Sequence, residues 1–248
     1  MGPAGGNTVG RLGVFGGSFD PPHAAHQAMV QVAMAQLHLD RLLIVPTGQA
    51  YHKARPLSAA VHRLAMCQAV WGDTPGVQID PRETQRERPS YTVETLTELR
   101  AQWPGAQIFL LMGADQWSTF TTWKDWRRIL DMSTVVVATR PGQPGVSDEL
   151  PCVHLSMPAL PWSSTELRAA AAEGHFDATD PSNSPLHPAV ASYISQHHLY
   201  QKPSRPAKPL PKKTSKNSNA PSSMAWKTSR AKTSWCSTPS TSRPCLSA

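Results

Sequence analysis

The first 200 of the 248 residues contain only two lysines, Lys53 and Lys124, and their 14 basic side chains are outnumbered by 17 acidic ones. The overall charge of +7 invites a polyanion-binding reading, but a body with a net charge of −3 argues against a nucleic-acid partner for it. The positive excess lies in residues 201–248, which hold ten Lys and Arg and no Asp or Glu. Cysteine is also scarce. Cys67, Cys152, Cys236 and Cys245 show no metal-ligand spacing, so neither a zinc site nor a disulfide framework is expected. Free thiols suit a reducing, cytoplasmic compartment. No run approaches the roughly 18 apolar residues of a membrane span. Met1–Asn7 lacks the charge and apolar core of a signal peptide. No carboxylate pair carries glycosidase spacing. The expectation is a chain with no membrane association and no protein-held metal.

What the chain has is alternation. Arg11–Phe15, Arg41–Pro46, Val77–Asp80, Gln107–Met112 and Thr134–Ala138 are short apolar runs that read as strands. Between and after them, His23–Leu37, Leu57–Val70 (with Ser58 as N-cap), Thr92–Gln102, Ser164–Glu173 and Pro188–Gln196 read as helices. Continuous apolar strands alternating with helices predict an α/β/α fold with a mostly parallel, Rossmann-like sheet over residues 10–200. Ligands of such sheets bind beyond the carboxyl ends of the strands. Gly16-Gly17-Ser18, Pro46-Thr47-Gly48, Gly113-Ala114-Asp115 and Thr139-Arg140-Pro141 all fall there and are expected to converge.

The most specific stretch is Gly16-Gly17-Ser18-Phe19-Asp20-Pro21-Pro22-His23-Ala24-Ala25-His26. Glycines let backbone N–H groups approach a polyphosphate, and a helix N-terminus favours negative charge. Pro21 and Pro22 are expected to end the strand and set the entry to a helix, proline's fixed φ suiting a first helical turn. His23 and His26 would then share one face of it. Ser164 and Thr165 stand at another predicted helix start, with Arg168 one turn on, where hydroxyls and a guanidinium suit phosphate oxygens. Asp115 could contact a ribose hydroxyl. Tyr91 and Trp123 offer flat faces for a planar ring, and Thr92 a hydroxyl beside it. His52 and Lys53 supply positive charge in the loop after the second strand. Arg127 and Arg128 read as solvated, Cys67 as core, and the charged run Arg82–Arg88 as a mobile loop leading into the ring-binding segment.

The opening motif resembles the G-G-[ST]-F-D-P-x-H-x-G-H signature of the nucleotidylyltransferases, with Ala25 where that family usually has glycine. Pro89-Ser90-Tyr91-Thr92-Val93-Glu94-Thr95-Leu96 resembles the P-S-Y-T-x-x-T-L segment of the nicotinate-nucleotide adenylyltransferases. Gly113-Ala114-Asp115, Phe120–Trp123, Arg140-Pro141-Gly142 and Ser163–Arg168 are similar to further segments of that family, in the same order. The resemblance spans about residues 10–200. It implies transfer of the adenylyl group of ATP, with Mg²⁺ held largely by the triphosphate, to nicotinate mononucleotide in NAD biosynthesis. It assigns catalysis to His23, His26, Lys53 and Arg168, and ATP binding to those histidines and Arg168 with Gly16, Gly17, Ser18, Phe19, Gly113, Asp115, Ser163, Ser164 and Thr165. Substrate contacts fall to Asp20, Lys53, Tyr91, Thr92, Trp123 and Arg140, with Asp20 also expected to shape the loop and orient a histidine. Nicotinamide mononucleotide or another phosphate acceptor is the alternative, and a homo-oligomer is left open.

Residues 1–9 read as a flexible lead. From Gln201 onward Ser, Thr, Pro, Lys and Arg make up 33 of 48 residues, a composition that cannot bury enough surface to order its backbone. Translating plausible codons for Ser223–Leu246 in a shifted frame yields alternating apolar and acidic runs resembling the start of a bacterial ribosomal silencing factor. A frameshift origin for this tail is therefore expected, with an RNA- or ribosome-contacting extension as the alternative. Resequencing the DNA distinguishes them.

Overall fold

The computed structural model of the chain describes residues 9–48, 56–139, 149–158, 160, 162–173 and 185–201. Strands β1 (Arg11–Gly17), β2 (Arg41–Pro46), β3 (Val77–Ile79), β4 (Gln107–Gly113), β5 (Thr134–Thr139) and β6 (Val153–Ser156) pair in parallel in the order β3-β2-β1-β4-β5-β6. The chain lays down β1, β2 and β3 outward in one direction, then returns to place β4 on the other flank of β1. The topological switch point therefore lies between β1 and β4, where ligands of open parallel sheets bind. The register puts Gly17 opposite Pro46 and Gly113 opposite Ala138, so the strand-end turns emerge at one edge.

Side chains alternate across each strand and fill two apolar layers. Phe15, Ile44, Leu111 and Val136 pack with α1 (Ala24–Gln36) and α2 (Ala60–Trp71) on one face. Val14, Leu43, Leu110 and Val137 pack with α3 (Thr92–Gln102) and α5 (Trp126–Met132) on the other. Between these comes the short α4 (Ala114–Trp117) and a 3-10 turn over Phe120–Thr122. A third cluster joins Met66 of α2 to α6 (Ser164–Ala172) and α7 (Pro188–Gln196) through Leu167, Val190 and Ile194. No helix among the described residues is long and apolar enough to cross a membrane. Cys67 is buried and Cys152 half-buried, both as free thiols.

The α/β expectation holds, and α3 and α7 begin and end where the sequence placed them. Three details differ. α2 is capped by Ala59 rather than Ser58, and the Ser58 N–H donates to Asp20 (3.2 Å). The proline pair does not form the first helical turn. Asp20–Pro21 is a cis peptide, both prolines are buried ahead of α1, and His23 is the N-cap. Strand β6 carries no apolar run to read, since only Leu155 of its four residues is buried.

Candidate active site

The loop that leaves β1 is held from below. Gly16 has open space around it, whereas a Cβ on Gly17 would sit 3.0–3.3 Å from the Phe19 ring. Phe19 takes a left-handed φ of 45° and is fully buried, edge-on to Phe15 (5.3 Å), Trp71 (5.7 Å) and His26 (5.1 Å). It is a core residue under the loop, which corrects its assignment to ATP. Asp20 is corrected likewise. It is 0% exposed, its Oδ1 accepts from the Tyr200 hydroxyl (2.7 Å) and its carbonyl from Arg168 Nη1 (2.7 Å). No surface remains for a substrate, and its part is to shape the loop. Arg63, 2% exposed, donates to the carbonyls of Ser18 and Ser58 (both 3.0 Å). Burial lowers the Arg63 pKa, and the facing Asp20 charge opposes that fall. Burial first, then Asp20, pushes the Tyr200 phenol well up, so its proton stays in place as a donor. Neither Arg63 nor Tyr200 was singled out from sequence. A charged residue one turn before Met66 and Cys67 on an apolar helix face was the available signal for Arg63.

His23 and His26 come together as expected, rings 3.9 Å apart and tilted by 38°. The backbone N–H of His23 donates to His26 Nδ1 (3.2 Å). A neutral imidazole that accepts at Nδ1 carries its proton on Nε2, so His26 is set as a donor at its far nitrogen. Helix α6 starts beside this turn. Ser164 Oγ donates to the Pro21 carbonyl (3.1 Å), and Arg168 bridges the Asp20 carbonyl and Thr165 Oγ1 (3.0 Å). Ser163 caps α6: its Oγ accepts from Glu166 N, and the Glu166 carboxylate accepts from Ser163 N (2.8 Å). The Ser163 hydroxyl, donating to the same carboxylate (2.7 Å), and then the Ser163 N–H hold Glu166 below the usual carboxylate range. Two helix N-termini, α1 and α6, thus open side by side, and their residual N–H groups favour an anion. The hydroxyls assigned to ATP here also brace the loop.

On the other side of Gly16–Ser18 lies a cavity of about 430 Å³, walled by Thr47, Tyr91, Thr92, Thr95, Trp123 and Glu83 among others. Tyr91 caps α3, and Lys124 Nζ sits 4.2 Å over its ring. Trp123 stands against Phe120 (5.6 Å). Gly48 approaches the Glu83 backbone so closely that any Cβ would collide with the Glu83 carbonyl oxygen. Arg82–Arg88 is not a loose loop: Arg82 pairs with Asp80 (2.6 Å) and Arg86 with Glu98 (2.7 Å). This is why Glu83, overlooked in a charged run, is buried at the cavity wall. Gly113 caps α4 and takes the Gln116 side chain on its N–H (3.4 Å), so Gln116 rather than the exposed Asp115 reaches the cavity. Lys53, His52 and Arg140 lie outside the described residues. No group of three or more His, Cys, Asp or Glu that could hold a metal occurs among the described residues.

The geometry has relatives. The cytidylyltransferase-like family matches residues 14–170. A curated protein of Albidiferax ferrireducens, named a probable nicotinate-nucleotide adenylyltransferase, is 48% identical over 199 residues, covering 77% of this chain and 98% of the relative. One of the same name from Thermus thermophilus is 37% identical over 191 residues, covering 77% and 100%. Among solved structures, the Plasmodium falciparum nicotinic acid mononucleotide adenylyltransferase complexed with NaAD shares the fold with a TM-score of 0.62 at 19% identity, covering 77% of this chain and 97% of that one.

Proposed function

The chain belongs to the cytidylyltransferase-like family and, within it, to the nicotinate-nucleotide adenylyltransferases, and we propose that it joins ATP and nicotinate mononucleotide into nicotinate adenine dinucleotide in NAD biosynthesis. The observation that carries this reading is the position of the Gly16–Ser18 turn. It has a paired-histidine, paired-helix anion site on one side and a ring-sized, aromatic-walled cavity on the other. One nucleotide's triphosphate and another's planar base then meet at the switch point of the sheet.

In the proposed reaction a 5′-phosphate oxygen of the mononucleotide attacks the α-phosphorus of ATP. That O–P bond forms as the bond from the α-phosphorus to the bridging oxygen breaks, and pyrophosphate leaves. The nucleophile is already an anion, so no strong base is required, and catalysis is positioning with charge stabilisation. His26, donating from Nε2, and His23 face the charge that grows on the bridging and leaving oxygens. Arg168 and the α6 N-terminus hold the phosphates, and Lys53 adds charge from the loop after β2. Tyr91, Trp123 and Thr92 receive the pyridine ring, and Arg140 is proposed as a further substrate contact. A Mg²⁺ would enter on the triphosphate, held largely by oxygens of substrate and water. The same proposal includes a cytoplasmic setting, in keeping with the free thiols.

Pyrophosphate release by the full chain, measured with ATP, Mg²⁺ and either nicotinate or nicotinamide mononucleotide, tests the reading. Release with the acid is expected to exceed release with the amide; a folded chain inert toward both would refute it. The tail is proposed to be dispensable, with a sharp boundary. A chain ending at Gln201 should keep full turnover. One ending at Leu199 loses the Tyr200–Asp20 hydrogen bond and should lose about 1.5–3 kcal/mol of unfolding free energy, the scale of a bond to a charged group, with turnover falling as the loop loosens. Loss of activity on removing residues 202–248 alone would instead make the tail a working part.

A further inference from the structure

Two backbone segments meet on one buried guanidinium. Arg63, in the first turn of α2, donates from Nε to the Ser58 carbonyl and from Nη1 to the Ser18 carbonyl (both 3.0 Å). Ser58 is held at its other polar groups as well. Its N–H donates to Asp20 Oδ2 (3.2 Å), and its hydroxyl is hydrogen bonded to Tyr200. The chain between β2 and α2 is thereby tied to the loop after β1 at both ends, since the Thr47 N–H donates to the Gly17 carbonyl (2.8 Å). Both Arg63 bonds go to main-chain carbonyls, so they fix the path of two loops rather than recognise a side chain. A buried charge is a poor source of stability, because well-packed apolar residues in place of an ion pair are often neutral or stabilising. What such a group supplies here is geometry.

We propose that Arg63 is a positioning residue for the transfer step, holding the Ser18 peptide so that the Phe19 ring seats His26 in its working place. The inference rests on the adenylyl-transfer reading above. The route is short. A peptide unit is planar, so a fixed Ser18 carbonyl fixes the plane from which the Phe19 N–Cα bond leaves. Phe19 has a left-handed φ of 45°, a conformation that its surroundings must impose. Its ring stands edge-on to His26 at 5.1 Å, closed in by Phe15 and Trp71. A shift of the Ser18 peptide therefore moves the Phe19 ring and the imidazole packed on it. The bond to Ser58 keeps the start of α2, and Arg63 with it, in register with that turn. Arg63 is buried beneath the loop and acts through it, not on substrate.

Arg63→Lys separates positioning from packing. Lysine keeps a positive charge facing Asp20 but carries its donors on one nitrogen of a flexible stem, so it cannot hold both carbonyls as the planar fork does. The measurement is kcat and KM for ATP in full-length wild type, Arg63→Lys, His26→Ala and the double variant. Arg63→Lys is expected to lower kcat by about tenfold to a hundredfold, the scale of an ångström-sized misplacement, with KM for ATP little changed. In the His26→Ala background the same substitution should cost far less, because the group it positions is gone. A folded Arg63→Lys with wild-type kcat, or a fall as large without His26 as with it, overturns the assignment. A second measurement needs no substitution. In wild type with isotope-labelled arginine, the NMR resonance of the Arg63 Nε–H should shift when ATP and Mg²⁺ are added. That of Arg11, which donates to the Leu37 carbonyl (2.8 Å) at the far end of β1, should stay in place. An unmoved Arg63 resonance at ATP concentrations that saturate turnover overturns the assignment even where Arg63→Lys fails to fold. Absence of turnover by wild type with either mononucleotide overturns the adenylyl-transfer reading and this assignment with it.

Discussion

Asp20→Ala is expected to lower unfolding free energy by about 3–5 kcal/mol, a cost on the scale of breaking a buried charged network. Three groups lose a partner together. The Tyr200 hydroxyl loses its acceptor at 2.7 Å, and the Ser58 N–H at the start of α2 loses its own at 3.2 Å. The Arg63 guanidinium, already disfavoured by burial, loses the opposing charge that partly restores it. The Arg168 bond goes to the Asp20 backbone carbonyl and survives in principle. The loop itself, however, carries Phe19 in a left-handed conformation, which a surrounding structure must hold in place. With the carboxylate gone, turnover should fall along with stability. Asp20→Asn keeps the shape and one acceptor but turns an N–H toward Ser58 or Tyr200, so it should fall between wild type and Asp20→Ala. Urea titrations at constant m-value measure the difference. An Asp20→Ala chain within 1 kcal/mol of wild type, about the worth of one ordinary hydrogen bond, would contradict the network.

These residues also mark where reading the sequence stops working. The strands β1, β2, β4 and β5 were legible because both faces are covered and every position must be apolar. Strand β6 at the sheet edge buries Leu155 alone and left no pattern. The Gly16–His26 motif was legible as a phosphate turn because its residue types are rarely assembled by chance. The motif could not say which members face the ligand. Phe19 and Asp20 stand among the glycines and histidines in sequence yet point into the core, since a turn that presents one set of groups must anchor itself with the other. The anchors are distant in the chain: Arg63 reaches Ser18 across 45 residues and Tyr200 reaches Asp20 across 180. No local periodicity reports such a contact. Glu83 was hidden differently. Its neighbours Arg82 and Arg86 made the run look solvated, whereas their ion pairs to Asp80 and Glu98 fasten it and leave Glu83 facing inward.

The largest kinetic effect is expected from His26→Ala: a fall in kcat of roughly 10²–10³, the scale of removing one preorganised donor to developing charge. The structure supports a loss in kcat rather than in affinity. His26 is fixed by the His23 N–H on Nδ1 and by the Phe15 and Phe19 rings, so its Nε2 donor is held in place before substrate arrives. Charge on the bridging oxygen of ATP is small in the ground state and grows as the bond to the α-phosphorus breaks, so a fixed donor gains most in the transition state. KM for ATP should move little, because the proposed phosphate contacts of the α6 N-terminus and Arg168 are untouched by the substitution. His26→Gln places an amide N–H near the reach of Nε2 and should recover part of the loss, less than a fixed ring gives because its side chain rotates freely. Stability separates this from a packing role. The ring contacts of His26 are worth about 0.5–1.5 kcal/mol each, so both variants should remain folded at assay temperature. A His26→Ala chain with wild-type kcat and a raised KM would make His26 a binding contact and move the charge-stabilising role to His23 or the loop holding Lys53.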